Sequence, residues 1–323
     1  MNNAIILIKS PFQLLCAINA IKDFEITNYK LYLFNNERID QIISIANYFN
    51  LQFKIIPGLR KNVAKSFFFY YNLFFRKFEK YDYLFVGDIR ETHIILRGII
   101  WLKMVNSIVY LDDGNVTIPF FLNKIVFPFR QKLKMRLINT ILYLRKIKKY
   151  YYTIYNVKSS DYIIINNPFK ISNCNDSTTN ISLFIGTNSE LFCNYNGIKK
   201  DVYLTTLEKI LKSISKSATK FMYIAHGRES FKEINVICNE LNIQYIRPDK
   251  CIEMYLIEKN YNVISAYGFG STALYNIKKM YPNSDVRNIN FYGSNTQSCE
   301  EAKTISEVYN EIGISDIYPT DFN

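Results

Sequence analysis

The chain has 323 residues, 49% of them apolar, and a formal net charge of +12 from 40 Lys and Arg against 28 Asp and Glu. That length suits roughly two globular domains rather than one small core, and the charge points to an anionic partner such as a nucleic acid, a membrane surface or a phosphorylated substrate. Six cysteines without a CxxC pair and only two histidines argue against a disulfide framework and against structural zinc.

Ala4–Ile8 is β-branched and reads as a strand rather than a signal peptide, and no uncharged apolar run reaches the ~18 residues of a membrane span. Ser10 and Pro11 then cap and open a helix whose face carries Phe12, Leu15, Cys16 and Ile18. Strand Lys30–Phe34, helix Ile39–Phe49 and strand Gln52–Ile55 continue the alternation, which predicts a parallel sheet with right-handed crossovers. Residues 61–80 set Phe and Tyr among Lys and Arg and read either as a buried aromatic helix or as an interfacial one. Tyr83–Val86 is the next strand, Thr92–Met104 a helix in which His93 is structural, and Ser107–Leu111 a strand ending in Asp112-Asp113-Gly114.

Between Gly114 and Ser160 there are ten Lys or Arg and no acidic residue. Gln131–Ile154 shows helical apolar spacing through Leu133, Leu137, Ile141 and Leu144. Basic residues interleaved with aromatics admit a nucleic-acid reading. An aliphatic stripe flanked by cations suits an anionic lipid surface better. A strand at Asp161–Ile165 precedes a polar, turn-rich segment over 166–180, the best linker candidate. This divides the chain into an N-terminal Rossmann-like domain over 1–165 and a C-terminal one over 181–323, facing a cleft.

The second half repeats the alternation, with strands at Ile181–Ile185, Phe221–Ile224, Gln244–Ile246, Asn262–Ser265 and Val286–Ile289. Four strand ends along the chain carry reactive or anion-binding groups, the place where open α/β sheets bind ligands. Asp112 and Asp113 follow Ser107–Leu111, and Gly186-Thr187-Asn188-Ser189-Glu190 follows Ile181–Ile185. His226 follows the apolar run Phe221–Ala225, placed to exchange a proton near neutral pH. Gly268-Phe269-Gly270-Ser271-Thr272 opens a helix, and its glycines, free N–H groups and hydroxyls outline an anion site. The segment has neither the P-loop pattern nor a full GxGxxG, so ATPase and dinucleotide readings are poor.

Taken together, IILIKSPFQLL at the start, YLDDG at 110–114, LFIGTNSE at 183–190, YIAHGRES at 223–230, IEMY at 252–255 and GFGSTAL at 268–274 resemble the bacterial sialyltransferases of glycosyltransferase family 52. The resemblance runs over almost the whole chain. It implies a GT-B fold, CMP-sialic acid as donor with no further cofactor and no metal, and inverting transfer to a galactosyl-type acceptor of lipooligosaccharide or capsule. His226 would be the general acid or phosphate partner. Gly270, Ser271 and Thr272 would hold the CMP phosphate, Gly186 and Thr187 would lie on the donor side, and Glu253 near the ribose or cytosine. Asp112 and Gly114 would face the acceptor. The family's basic carboxylate follows the LFIG glycine; here that position is Ser189, and the base is Glu190 or Asp113, with Glu190 expected. His226 precedes Gly227, where the family usually has Pro. Other donors (another CMP-activated nonulosonate, CMP-Kdo or a nucleotide hexose) and a non-enzymatic nucleic-acid or membrane-binding protein are the alternatives. A homodimer and a peripheral location on the cytoplasmic side of the inner membrane complete the expectations.

Overall fold

A computed structural model describes residues 2–57, 80–87, 89, 105–114, 117–122, 128–170, 179–216, 220–292 and 296–322. The reading over 61–80 (all but Lys80), the helix reading at 92–104, His93 and Cys174 lie outside these residues. The chain divides into two compact units, residues 1–171 and 172–323.

The first unit runs β1 (Asn2–Ile8), α1 (Pro11–Asp23), β2 (Ile26–Phe34), α2 (Ile39–Tyr48), β3 (Phe53–Ile56), β4 (Tyr81–Val86), β5 (Val105–Leu111), α3 (Thr117–Phe121), α4 (Phe129–Leu144), β6 (Lys148–Thr153) and β7 (Ile163–Asn166). Its seven strands are all parallel, in the order β3-β2-β1-β4-β5-β6-β7. Ala4–Ile8 is buried throughout, as a strand covered on both faces requires. Helix α1 starts where its cap chemistry sets it: Ser10 Oγ accepts the Gln13 N–H at 3.3 Å, and Pro11 occupies the first turn.

The second unit runs β8 (Thr179–Ile185), α5 (Ser189–Asn196), α6 (Lys200–Ser215), β9 (Phe221–Ile224), α7 (Glu233–Glu240), β10 (Gln244–Ile246), α8 (Ile252–Glu258), β11 (Tyr261–Gly268), α9 (Thr272–Met280), β12 (Asp285–Ile289), α10 (Thr296–Asn310) and β13 (Ser315–Ile317). Its parallel sheet has the order β10-β9-β8-β11-β12-β13. Both sheets therefore follow the 3-2-1-4-5-6 order of doubly wound folds, the first with one extra strand. Phe184, Tyr203, Tyr223, Phe269 and the aliphatics of α6 and α7 form the core of the second unit.

Two readings need correction. Helical spacing was expected to continue from residue 131 to 154, but the helix stops at Leu144. Lys146 takes a left-handed φ of 54° and Lys148–Thr153 pairs with β5 as a strand. Tyr150, Tyr151 and Tyr152 favour a pleated, half-buried surface. Ser189 and Glu190, read as part of a strand end, open helix α5 (Ser189–Asn196), with Asn188 Oδ1 accepting the Leu191 N–H at 3.3 Å as its cap. The five described cysteines are free thiols.

Candidate active site

In the second unit, Ile185 lies level with both Ile224 and Gly268, so β8, β9 and β11 end together at one edge of the sheet. The chain runs outward from β8 to β9 and β10, then returns to β11 on the other side of β8. The crevice between β8 and β11 is the switch point at which such sheets take ligands. The loops over 186–188, 225–232 and 269–271 leave from this edge.

The first two loops are laced together. Ser189 Oγ lies 3.3 Å from Ser230 Oγ and accepts the Phe231 N–H, while Ser230 Oγ accepts the Glu190 N–H. Gly186 donates its N–H to Ile224 O at 2.8 Å. A Cβ on Gly186 would lie 2.6 Å from Tyr223 Oη and 2.7 Å from Glu229 Oε2, so the close approach requires glycine. Thr187 is half-buried beside it, and the Glu190 side chain is exposed in the first turn of α5.

His226 is half-buried, and its Nδ1 accepts the Arg228 N–H at 3.1 Å. With Nδ1 used as an acceptor, the neutral ring carries its proton on Nε2, which makes that nitrogen a donor. Glu229 was not singled out from the sequence. It is buried beneath the Gly186 loop, where Tyr223 donates to Oε2 at 2.9 Å and Oε1 has no partner among the described residues. Burial pushes its carboxyl up, against hydrogen bonds from Ser189 and Tyr223 and the charge of Arg247. Arg247, at the end of β10, also donates to the Glu229 carbonyl.

The third loop is braced from behind. Gly270 has φ +55° and donates its N–H to Asn288 Oδ1 at 2.8 Å. Asn288 Nδ2 in turn donates to Asn290 and Asp316, each at 2.8 Å. Ser271 caps α9, its Oγ accepting the Ala273 N–H at 3.3 Å, and its carbonyl accepts from Tyr309 Oη. The hydroxyl proton of Ser271 therefore points away from its cap bond. Thr272 follows, half-buried, as the first helical residue. Glu253 is buried and accepts from Asn276 Nδ2 at 2.6 Å, a bond that ties α8 to α9.

The first unit has an equivalent edge. Leu7, Val86 and Tyr110 are level, so β1, β4 and β5 also end together. Gln13, buried in the first turn of α1, accepts the Lys9 N–H at 2.9 Å and donates from Nε2 to Asp113 Oδ1 at 2.8 Å. Gly87 makes room for it, because a Cβ there would fall 2.0 Å from Gln13 Oε1. Asp113 is half-exposed and oriented.

Its neighbour Asp112, expected on the acceptor side, is placed differently. Asp112 is fully buried, accepting from Thr117 Oγ1 at 3.0 Å and from the Ile154 N–H at 2.7 Å. It fastens the end of β5 to α3 and to the chain leaving β6. Gly114, at φ +75°, turns the chain so that its carbonyl accepts the Thr117 N–H. Burial raises the Asp112 carboxyl from the ordinary range to about 7 despite those hydrogen bonds. The folded state thus holds a proton that the unfolded chain releases. The stability this contributes is fully present below the unfolded pKa, near 4, and is lost as pH rises through about 7. We expect Asp112→Asn, which cannot ionise, to gain stability relative to wild type by a few kcal/mol between about pH 5 and pH 8. Urea unfolding of both proteins at the two pH values checks this; parallel pH profiles refute it.

Among the described residues, no three His, Cys, Asp or Glu side chains cluster to hold a metal ion. No protein-family model matches the chain, and no curated protein matches its sequence. Among solved structures, the chain is similar to an α/β-galactoside α-2,3-sialyltransferase from the luminous marine bacterium Photobacterium phosphoreum. The TM-score is 0.60 at 11% identity, covering 100% of this chain and 99% of that one. It is also similar to a Listeria monocytogenes protein described as a UDP-N-acetylglucosamine 2-epimerase, with a TM-score of 0.51 at 9% identity over 96% and 87% of the two chains. These likenesses are of fold. Two Rossmann-like domains of the GT-B class are the architecture expected from the sequence.

Proposed function

We propose that the protein is an inverting glycosyltransferase that moves sialic acid from CMP-sialic acid to a galactosyl-type acceptor. The observation that carries this reading is the set of level strand ends in the second unit. They gather His226, the Gly186 loop and the Ser271-capped helix start at one switch point. β9 and β11 stand two strand spacings apart, about 10 Å, with β8 between them. A nucleotide monophosphate joined to a sugar fits that span.

In this reading the N–H groups at the start of α9, with the hydroxyls of Ser271 and Thr272, hold the donor phosphate, and Gly270 leaves open space for it to approach. The Nε2–H of His226 donates to a phosphate oxygen as the bond to the anomeric carbon breaks. In the same reading the nucleoside is assigned to Glu253 and to Asn276 of α9, whose Oδ1 has no partner among the described residues. Charge stabilisation comes from these groups, so the reaction invokes no metal. The acceptor hydroxyl attacks opposite the leaving phosphate and loses its proton to a carboxylate. For that step we take Asp113 rather than Glu190, on the ground that Gln13 orients the Asp113 carboxylate while the Glu190 side chain is exposed. The Photobacterium enzyme acts on galactosides, and we carry a galactosyl-type acceptor over to this chain. Such glycans belong to lipooligosaccharide or capsule, and on this reading the enzyme works at the cytoplasmic face of the inner membrane.

The test is release of CMP from CMP-sialic acid, another CMP-nonulosonate, CMP-Kdo and nucleotide hexoses, each with and without galactosides. Galactoside-stimulated release from CMP-sialic acid, unaffected by a chelator, is expected; release from a nucleotide hexose alone overturns the proposal. In the same system, Ser271→Ala with Thr272→Ala is expected to weaken CMP binding about tenfold or more, since hydrogen bonds to a charged group are worth about 1.5–3 kcal/mol each. Calorimetry measures it, with thermal unfolding as a control because the lost cap costs about 1 kcal/mol. Unchanged CMP affinity would remove the phosphate role.

A further inference from the structure

Helix α4 (Phe129–Leu144) turns one apolar stripe into the core and a second one out of it. Ile138 and Leu142 are buried in the first sheet's core, Ile141 packs against it half-buried, and Met135 is half-buried. On the opposite side Phe129 is 79% exposed, Leu133 58%, Leu137 51% and Leu144 73%. At about 3.6 residues per turn these four fall within an arc of roughly 80°, centred opposite the buried pair. The stripe expected from spacing alone is therefore mostly the solvent-facing one. Lys132 and Arg136 border it on one side, Arg130 and Lys134 on the other, and all four are exposed. The helix carries no acidic residue. Tyr143 of the same helix is also exposed, as is Leu122 just after α3.

We propose that this outer face of α4 docks on an anionic lipid bilayer. The observation that selects lipid is the pairing of an aliphatic stripe with cations on both borders. Leucines enter the acyl boundary while the long Lys and Arg stems carry their charges up to the headgroups. Nucleic acid would use the cations but give the three leucines nothing to stack on, since single-strand binders present aromatic platforms. A surface helix of this kind lies in the interface rather than across it, and among the described residues no helix is long and apolar enough to span a membrane. The docking goes beyond the transfer reaction and does not depend on it, because vesicle binding needs no turnover.

Co-sedimentation with vesicles tests it. The whole protein should pellet with phosphatidylglycerol-containing vesicles, much less with pure phosphatidylcholine, and less as salt rises. Each cation near such a surface changes binding about fivefold. Replacing Arg130, Lys132, Lys134 and Arg136 together with Gln should therefore abolish pelleting at moderate lipid. Leu133→Ser with Leu137→Ser should weaken it about tenfold or more at unchanged charge. All six positions are exposed, so the far-UV spectrum and melting temperature should stay as in wild type. Four results would overturn the proposal. These are failure of wild type to pellet, equal pelleting with neutral and anionic vesicles, and lipid-free dimers that dissociate in the double serine variant. The fourth is salt-dependent nucleic-acid binding that the double serine variant retains while wild type ignores vesicles.

Discussion

His226→Ala is expected to lower transfer from CMP-sialic acid about a hundredfold or more, the scale of losing a positioned general acid. The Arg228 N–H donates to Nδ1 of the ring, so in the neutral ring the proton sits on Nε2, the nitrogen assigned here as the acid. The fold should survive, because the ring is half-buried at a strand end and the N–H it releases lies in an exposed turn. The deficit should appear in kcat more than in KM, since the interaction strengthens as charge develops on the leaving phosphate. CMP affinity by calorimetry should change far less than turnover. His226→Gln, which can still offer an N–H but cannot transfer a proton, separates phosphate binding from acid catalysis. Near-normal turnover in the alanine variant would take His226 out of the mechanism.

Asp113→Asn is expected to abolish transfer, by about a hundredfold to ten-thousandfold, while donor affinity is kept. The substitution is clean for a structural reason: the amide Oδ1 can still accept from Gln13 Nε2 at the position now recorded at 2.8 Å. Geometry is preserved and only basicity is lost. Glu190→Gln is the companion measurement, because spacing from the LFIG glycine pointed to Glu190. Its side chain is exposed, and its backbone N–H, not its carboxylate, is what binds Ser230. A modest effect is expected there. Loss of transfer in Glu190→Gln with activity kept in Asp113→Asn reverses the assignment. A slowed rate in both would instead assign the proton transfer to both carboxylates and reject a single base.

The alternation of strands and helices was legible because short apolar runs bounded by polar or turn-forming residues mark most strands and their ends locally. The same property exposed His226, Gly270, Ser271 and the Asp112-Asp113 pair as strand-end groups. It failed where local preference is ambiguous. Apolar spacing ran on past Leu144, but three consecutive tyrosines sit better in a sheet, and nothing short of pairing with β5 could decide between the two.

What the sequence by itself determined is the periodicity, the caps and the chemical type at each strand end, since these depend on neighbours a few residues away. Only the tertiary structure decided which member of an adjacent pair is buried. Asp112 turns inward to Thr117 and Ile154, while Asp113 turns outward to Gln13, one hundred positions away. Glu229 beneath Gly186, Asn288 behind Gly270 and the outward stripe of α4 are of the same kind. Burial and hydrogen-bond partners arise when strands distant in the chain are brought side by side. A side chain's exposure, and with it its acidity and reach, is therefore a property of the packed sheet rather than of the local sequence.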